Sequence, residues 1–330
     1  MTFRSVCYAS CAVAALLISP AVAAQVPPGY VETGRFTNPF GSFDVRFDGR
    51  LIGLSGSDIL LQDSVNTGSF STIATIDPTF TAAFGASFVA VSPDGTRLAV
   101  GDNTFGGPAD AFVGVFDIVT GSLLTSAVAP NFDGDWADNN TLFVAGGSSV
   151  DSNVVTRIDA ATGLSTTVIN DTAGFSGAVA VAGGTLFAGN GFATGGPGDS
   201  QTGEVRSFDL AALTGSPILS FENDGLFAGG ALSAGSLDVD ASGNLIIGGG
   251  DLFGGSGDLG SVAVVDASGN RVDIASPFGS DLNFGQYNAF TDEILVFGGA
   301  GEIVRFAAIP APASGALVVL GLVGVGRRRG

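Results

Sequence analysis

The stretch Phe88–Val128, FVAVSPDGTRLAVGDNTFGGPADAFVGVFDIVTGSLLTSAV, constrains the fold more than any other part of the chain. Its apolar runs, Phe88 to Val91, Leu98 to Val100, Phe112 to Phe116 and Leu123 to Val128, are short and rich in Val, Phe and Leu, as strands require. Pro93-Asp94-Gly95, a Gly/Asp-rich loop and Thr120-Gly121 separate them. A four-stranded sheet this apolar on both faces cannot be satisfied by solvent, so each such unit needs a neighbour on either side.

Variants of the unit recur. The glycines expected to end the third strand of units one to five, Gly68, Gly121, Gly163, Gly215 and Gly269, are 53, 42, 52 and 54 residues apart. Four strands at that period are the mark of a β-propeller blade, for which repeats of about 40–50 residues are usual. In unit four the expected strands end with Ile218 to Phe221. Unit six has no fourth strand, and Val31 to Phe36 is a strand to spare, so the N-terminal strand is expected to complete the last blade and leave no open edge. The expectation is an all-β chain, a single β-propeller of six four-stranded blades over residues 31–306. Seven blades follow if the segment between Phe221 and Leu237 hides more strands, and a β-sandwich pair or a β-solenoid is the alternative. The Asp before each Thr/Ser-Gly is expected to cap the turn while Gly takes positive φ. This Asp, short gap, Thr/Ser-Gly pattern resembles bacterial surface and WD-repeat-like propellers, although the chain has neither a Gly-His nor a Trp-Asp pair.

Charge and residue usage narrow the chemistry. The formal charge is −19, with no Lys and no His, so the surface repels phosphate backbones and excludes nucleic acid as a partner. Cations, Ca²⁺ included, are the expected small partners. Without His there is no Ser-His or Cys-His nucleophile pair and no usual zinc ligand. Both cysteines, Cys7 and Cys11, fall in the apolar N-terminal segment, so neither a disulfide framework nor a thiolate site is expected in the mature chain.

The two ends give a cellular address. Residues 1–24 carry Arg4, an apolar run and small residues up to Ala23 and Ala24, the layout of a secretory signal cleaved by signal peptidase. Residues 25–30 are a linker. Residues 307–330 contain Pro310-Ala311-Pro312, a Gly-rich apolar stretch and Arg327-Arg328-Arg329. This triplet of features resembles the PEP-CTERM sorting tail of Gram-negative bacteria, with Ala311 where the family pattern has Glu. The resemblance implies transient membrane association through the tail, removal by an exosortase-like protease, and delivery to the cell surface or exopolysaccharide matrix.

Within the ring, alternation of strand direction puts the loops between second and third strands on the same face as the inter-blade connections. That face collects the acids and amides: Asp102, Asp110, Asp199, Asp251 and Asp258 in long Gly-rich loops, and Asn131, Asp133, Asp135, Asn170, Asp171, Glu222, Asp224 and Asp281 in the connections. An acidic rim of this kind suits Ca²⁺, a glycan or a partner protein. Gly254-Gly-Ser-Gly-Asp258 resembles calcium-binding glycine-rich repeats, which marks Asp251 and Asp258 as candidate metal ligands. Trp136, Tyr30 and Tyr287 are few stacking platforms for a strong lectin. The expected function is a non-catalytic interaction propeller, calcium-stabilised, meeting exopolysaccharide or a surface protein. A carboxylate-dependent polysaccharide hydrolase or lyase and a purely structural matrix component are the alternatives.

Overall fold

The computed structural model describes residues 29–77, 80, 86–102, 111–147, 153–172, 177–190, 202–232, 234–249, 261–274, 283–298 and 301–309. Six sheets, antiparallel but for one short pair, account for the strands of the described residues. The chain enters on β1 (Tyr30–Thr37) and builds blade one from β2 (Ser42–Val45), β3 (Leu51–Ser55), β4 (Asp58–Gln62) and β5 (Phe70–Thr75). Blade two is β6 (Val89–Val91), β7 (Arg97–Asp102), β8 (Phe112–Asp117) and β9 (Leu123–Val128). Blade three is β10 (Asp133–Trp136), β11 (Thr141–Gly146), β12 (Asn153–Asp159) and β13 (Ser165–Thr172). Blade four opens with β14 (Ala178–Ala182), β15 (Thr185–Gly189) and β16 (Thr202–Asp209).

Between the third and fourth strands of blade four the chain inserts a 3-10 turn (Leu210–Ala212), β17 (Leu219–Ser220) and α1 (Phe221–Asp224), and only then forms β18 (Leu226–Leu232). Blade five is β19 (Ala234–Val239), β20 (Leu245–Gly249), β21 (Ser261–Val265) and β22 (Arg271–Ile274). Blade six is β23 (Asn283–Asn288), β24 (Glu293–Gly298) and β25 (Glu302–Ala308), with β1 antiparallel to β25 as its fourth strand. The first strand of each blade touches the first strand of the next, in a cycle β2, β6, β10, β14, β19, β23 and back to β2. The molecule is therefore a six-bladed β-propeller closed by its N-terminal strand, as the repeat and the spare strand predict.

The core is divided as the ring is. Each of the six junctions has its own apolar cluster: Ile52, Leu98 and Phe116 between blades one and two, Phe88, Trp136 and Ile158 between two and three, and so round to Phe43, Leu51 and Ile303 between six and one. Packing of this kind is what an apolar two-faced sheet demands of its neighbours.

The turn chemistry holds in full for three blades, and in blade four Asp209 Oδ1 accepts from Ala211 N–H while Gly215 has φ of 91°. Asp117 Oδ1 accepts from the N–H groups of Val119 and Thr120, Asp159 Oδ1 from Ala161 and Thr162, and Asp266 Oδ1 from Ser268 and Asn270. Gly121, Gly163 and Gly269 follow with φ of 70°, 74° and 81°. Blade one departs from the expectation: Asn66, not Gly68, takes positive φ, and Asp63 is engaged by the hydroxyls of Ser69 and Ser71.

Blade four corrects a second expectation. Ile218 to Phe221 is not its fourth strand, because Leu219–Ser220 pairs in parallel with β13 of blade three and Phe221 is fully buried at the junction of blades three and four. The segment between Phe221 and Leu237 does contain a strand, β18, but it completes blade four and adds no seventh blade.

Candidate functional site, the carboxylates of the ring axis

The first strands face one another across the axis. One position recurs at the same register, two residues before the hairpin to the second strand, and is occupied round the ring by Asp44, Ala90, Asp135, Ala180, Asp238 and Gln286. Odd blades carry a carboxylate there and even blades do not.

Each carboxylate spans a junction. Asp44 Oδ1 accepts from its own strand at Val45 N–H (2.6 Å) and Oδ2 from the next blade at Val91 N–H (2.7 Å). Asp135 repeats the arrangement with Trp136 and Val181 (2.7 Å each), and Asp238 with Val239 (2.7 Å) and Tyr287 (2.6 Å). Two residues earlier on the same strands, Asp133 Oδ2 accepts from Val179 N–H (3.1 Å) and Ser236 Oγ from Gly285 N–H (3.0 Å). The first strand of a blade has no strand beyond it, so its inner N–H groups need acceptors from elsewhere, and these side chains provide them.

The four carboxylates, with Gln286, line a small cavity at the axis, about 60 Å³. A water needs about 10–15 Å³ of such space, so the cavity has room for a few waters. Protein surrounds each carboxylate although part of it faces the cavity. Loss of hydration pushes Asp44 and Asp238 up to about 7 and Asp135 up to about 6, against the pull of the backbone N–H groups, and Asp133 rises well above the ordinary range for the same reason. The negative charge of Asp135 adds to the rise at the other three. Gln286 donates Nε2–H to Phe43 O (2.9 Å) across the last junction, and its Oε1 is buried with no partner.

Several residues expected on the acidic rim lie elsewhere. Asp133 and Asp135 sit on β10 at the axis, because the connection from blade two enters the strand earlier than its acidic composition suggests. Asn131 is buried (1 % exposed) and ties blade two to blade three, donating Nδ2–H to Phe112 O and Ala129 O and accepting from Ser87 Oγ. Asp102 is buried at the end of β7. Glu222 and Asp224 belong to α1 in the blade-four insertion, where Glu222 meets Arg206 of β16. Asp110, Asp199, Asp251, Asp258 and Asp281 lie outside the described residues, as do Ala23, Ala24, Pro310, Ala311, Pro312, Arg327, Arg328 and Arg329. Among the described residues no group of three or more acidic side chains is arranged to hold a metal ion. Among them, too, no helix is long and apolar enough to cross a membrane.

A second cavity, about 420 Å³, opens between blades three and four on the face of the hairpins. It was not legible in the repeat, because one of its walls is the insertion of blade four. Leu210 and Leu213 face Phe143, Arg157 and Asp159 across it.

No known family profile matches the chain, and no curated protein does. Among solved structures, a chain of the mitotic checkpoint complex is 13 % identical with a TM-score of 0.54, covering 93 % of this chain and 99 % of that one. The gluconolactonase XC5397 from Xanthomonas campestris is 13 % identical at a TM-score of 0.55 (86 % and 95 % covered). The WD40 β-propeller domain of Doa1 is 11 % identical at 0.51 (84 % and 97 % covered). At such identities the likeness shows the propeller fold and nothing finer.

Proposed function

We propose that this chain is an exported, non-catalytic binding propeller of a bacterial cell surface or extracellular matrix. One observation carries the reading. In a chain without His or Lys the chemistry would fall largely to carboxylates, and of the four enclosed ones Asp44, Asp135 and Asp238 spend both oxygens on backbone N–H groups at blade junctions while Asp133 is held by the N–H of Val179. The signal-like residues 1–24 and the PEP-CTERM-like tail support export, with signal peptidase and an exosortase-like protease as processing partners. The acidic Gly-rich stretch that carries Asp251 and Asp258 in the sequence supports stabilisation by Ca²⁺.

The expected protein is found outside the cell with an intact mass lacking the N-terminal 23 or 24 residues and the apolar tail. Recovery of the full-length mass from the cell interior would overturn the export reading. Millimolar Ca²⁺ is expected to raise its unfolding midpoint, and an unmoved midpoint would remove calcium from the proposal.

A second reading, a carboxylate-dependent hydrolase, is favoured by the raised carboxylates at the axis and by the likeness to a gluconolactonase. The axial cavity of about 60 Å³ is small for a sugar or lactone. Incubation with gluconolactone and with polysaccharides is therefore expected to give background turnover. Hydrolysis abolished by Asp135→Asn in a folded variant would replace the binding reading with the enzymatic one.

A further inference from the structure

We propose that the cleft between blades three and four is a binding site for a neutral, hydroxyl-rich ligand, a glycosyl unit of a polysaccharide. The cleft exists for structural reasons. At two other junctions a phenylalanine of one hairpin lies on the glycine of the next, Phe47 on Gly95 and Phe290 on Gly49. Here the hairpin is Ala137-Asp138-Asn139-Asn140, and it faces Gly183 and Gly184, at both of which an added Cβ would meet nothing within 4 Å. The insertion of blade four then closes the far side with Leu210 and Leu213.

The lining has two characters. Register places Phe143, Arg157 and Thr166 in one row across blade three, with Thr141 and Asp159 in the next. Arg157 is fixed by Nη1–H to Leu213 O (2.8 Å) and Nη2–H to Thr214 O (3.2 Å). Asp159 stays below the usual carboxylate range, held by the N–H groups of Ala161 and Thr162 and by the charge of Arg157. Asp138 caps its own hairpin through Oδ1, at Asn140 and Thr141. Beside these groups Leu210 and Leu213 form an apolar edge over the buried Phe143, and Leu164 stands 67 % exposed at the mouth.

A cation drawn to the carboxylates meets Arg157, and an anion drawn to Arg157 meets the carboxylates. Hydroxyl groups donate to the carboxylates, accept from Arg157 and lay a C–H face on the leucines. At about 420 Å³ the cleft falls in the range of about 300–1,000 Å³ common to small-molecule sites. The site deepens the binding reading but is tested separately from it, since binding is measured in vitro whatever the chain's cellular address.

The test is electrophoresis of the purified, folded chain through native gels containing dextran, galactomannan or xyloglucan. Retardation by at least one of these polymers is expected. It should weaken about tenfold in Leu164→Glu and Arg157→Gln, and stay unchanged in Leu123→Glu, a control 49 % exposed on the outer strand of blade two. Unfolding midpoints establish that each variant folds. Three results would overturn the proposal: no retardation by any neutral polymer, full retardation of Leu164→Glu, or binding of an arginine-rich peptide that Leu164→Glu strengthens.

Discussion

Asp135 and Trp136 are neighbours on one strand, yet they hold β10 to opposite blades by opposite means. Trp136 turns towards blade two, 4 % exposed in the apolar cluster there, with its Nε1–H on Ala90 O at 3.0 Å. Asp135 turns towards blade four and accepts from Val181 N–H. The alternation repeats round the ring: a carboxylate bridges one to two, three to four and five to six, whereas the axial residues of blades two and four are Ala90 and Ala180, which carry no polar group. Odd-to-even junctions thus combine an apolar cluster with a desolvated carboxylate clamp, and even-to-odd junctions combine packing with neutral hydrogen bonds such as those of Asn131, Trp136 and Gln286. One fold tolerates both because each junction buries its own cluster.

The difference is broken most forcefully at the packing side. Trp136→Ala empties the blade two to three cluster and removes a buried donor, and is expected to cost about 3–5 kcal/mol in urea or thermal unfolding. Asp135→Ala leaves Trp136 and Val181 N–H groups without their acceptor, at about 1–3 kcal/mol. A larger loss for the aspartate than for the tryptophan would reverse the ranking of the two junction types.

Acidity separates them further. In the fold Asp44 and Asp238 titrate near about 7 and Asp135 near about 6, against about 3.9 for an unfolded aspartate. The folded state therefore holds extra protons between those limits. Stability from these groups is fully present below about pH 4 and is lost as pH rises through 6–7, at most about 1.4 kcal/mol per pH unit for each carboxylate. The unfolding midpoint should rise as pH is lowered from 8 to 5.5. Turn aspartates such as Asp117 and Asp266, whose pKa values are lowered by side-chain and backbone hydrogen bonds, act in a separate window: their contribution is present above about pH 4 and is lost as pH falls further. Replacing Asp44, Asp135 and Asp238 together by Asn should flatten the upper slope, and an unaltered slope in that variant would locate the protons elsewhere.

The blades were legible in the sequence because their signals are local. Short apolar runs, Thr120-Gly121 and its counterparts, and the spare strand at Val31 to Phe36 each carry their meaning within a few residues or one repeat. The axial carboxylates were not legible, since Asp44, Asp135 and Asp238 acquire their role from the blade each one faces, which composition does not record. The signal that could have found them is their common offset before the hairpin in alternate units. Asn131 and Asp133 misled for the same reason: an acidic connection and the start of an inner strand look alike until the ring closes. The cleft depended on Leu210–Asp224, an insertion that the repeat pattern mistook for an ordinary fourth strand.

Gln286 stands between the two classes and gives the finest test of the comparison. It occupies the axial position of an even blade, yet it is polar and crosses to Phe43 O at the junction that the N-terminal strand helps to close. Its donated hydrogen bond is favourable by about 1 kcal/mol, while the orphaned Oε1 costs a comparable amount. Gln286→Met gives up both, so its unfolding free energy should stay within about 1 kcal/mol of the parent. Gln286→Glu keeps the shape but adds a fifth enclosed carboxylate to Asp44, Asp133, Asp135 and Asp238, lining the same cavity. That variant should match the parent at pH 5.5 and fall below it at pH 8, because like charges in a desolvated site resist joint ionisation. Equal stability of Gln286→Glu and the parent at pH 8 would mean that solvent at the axis screens these charges, and the clamp of the odd blades would then be ordinary hydrogen bonding rather than a desolvated ionic one.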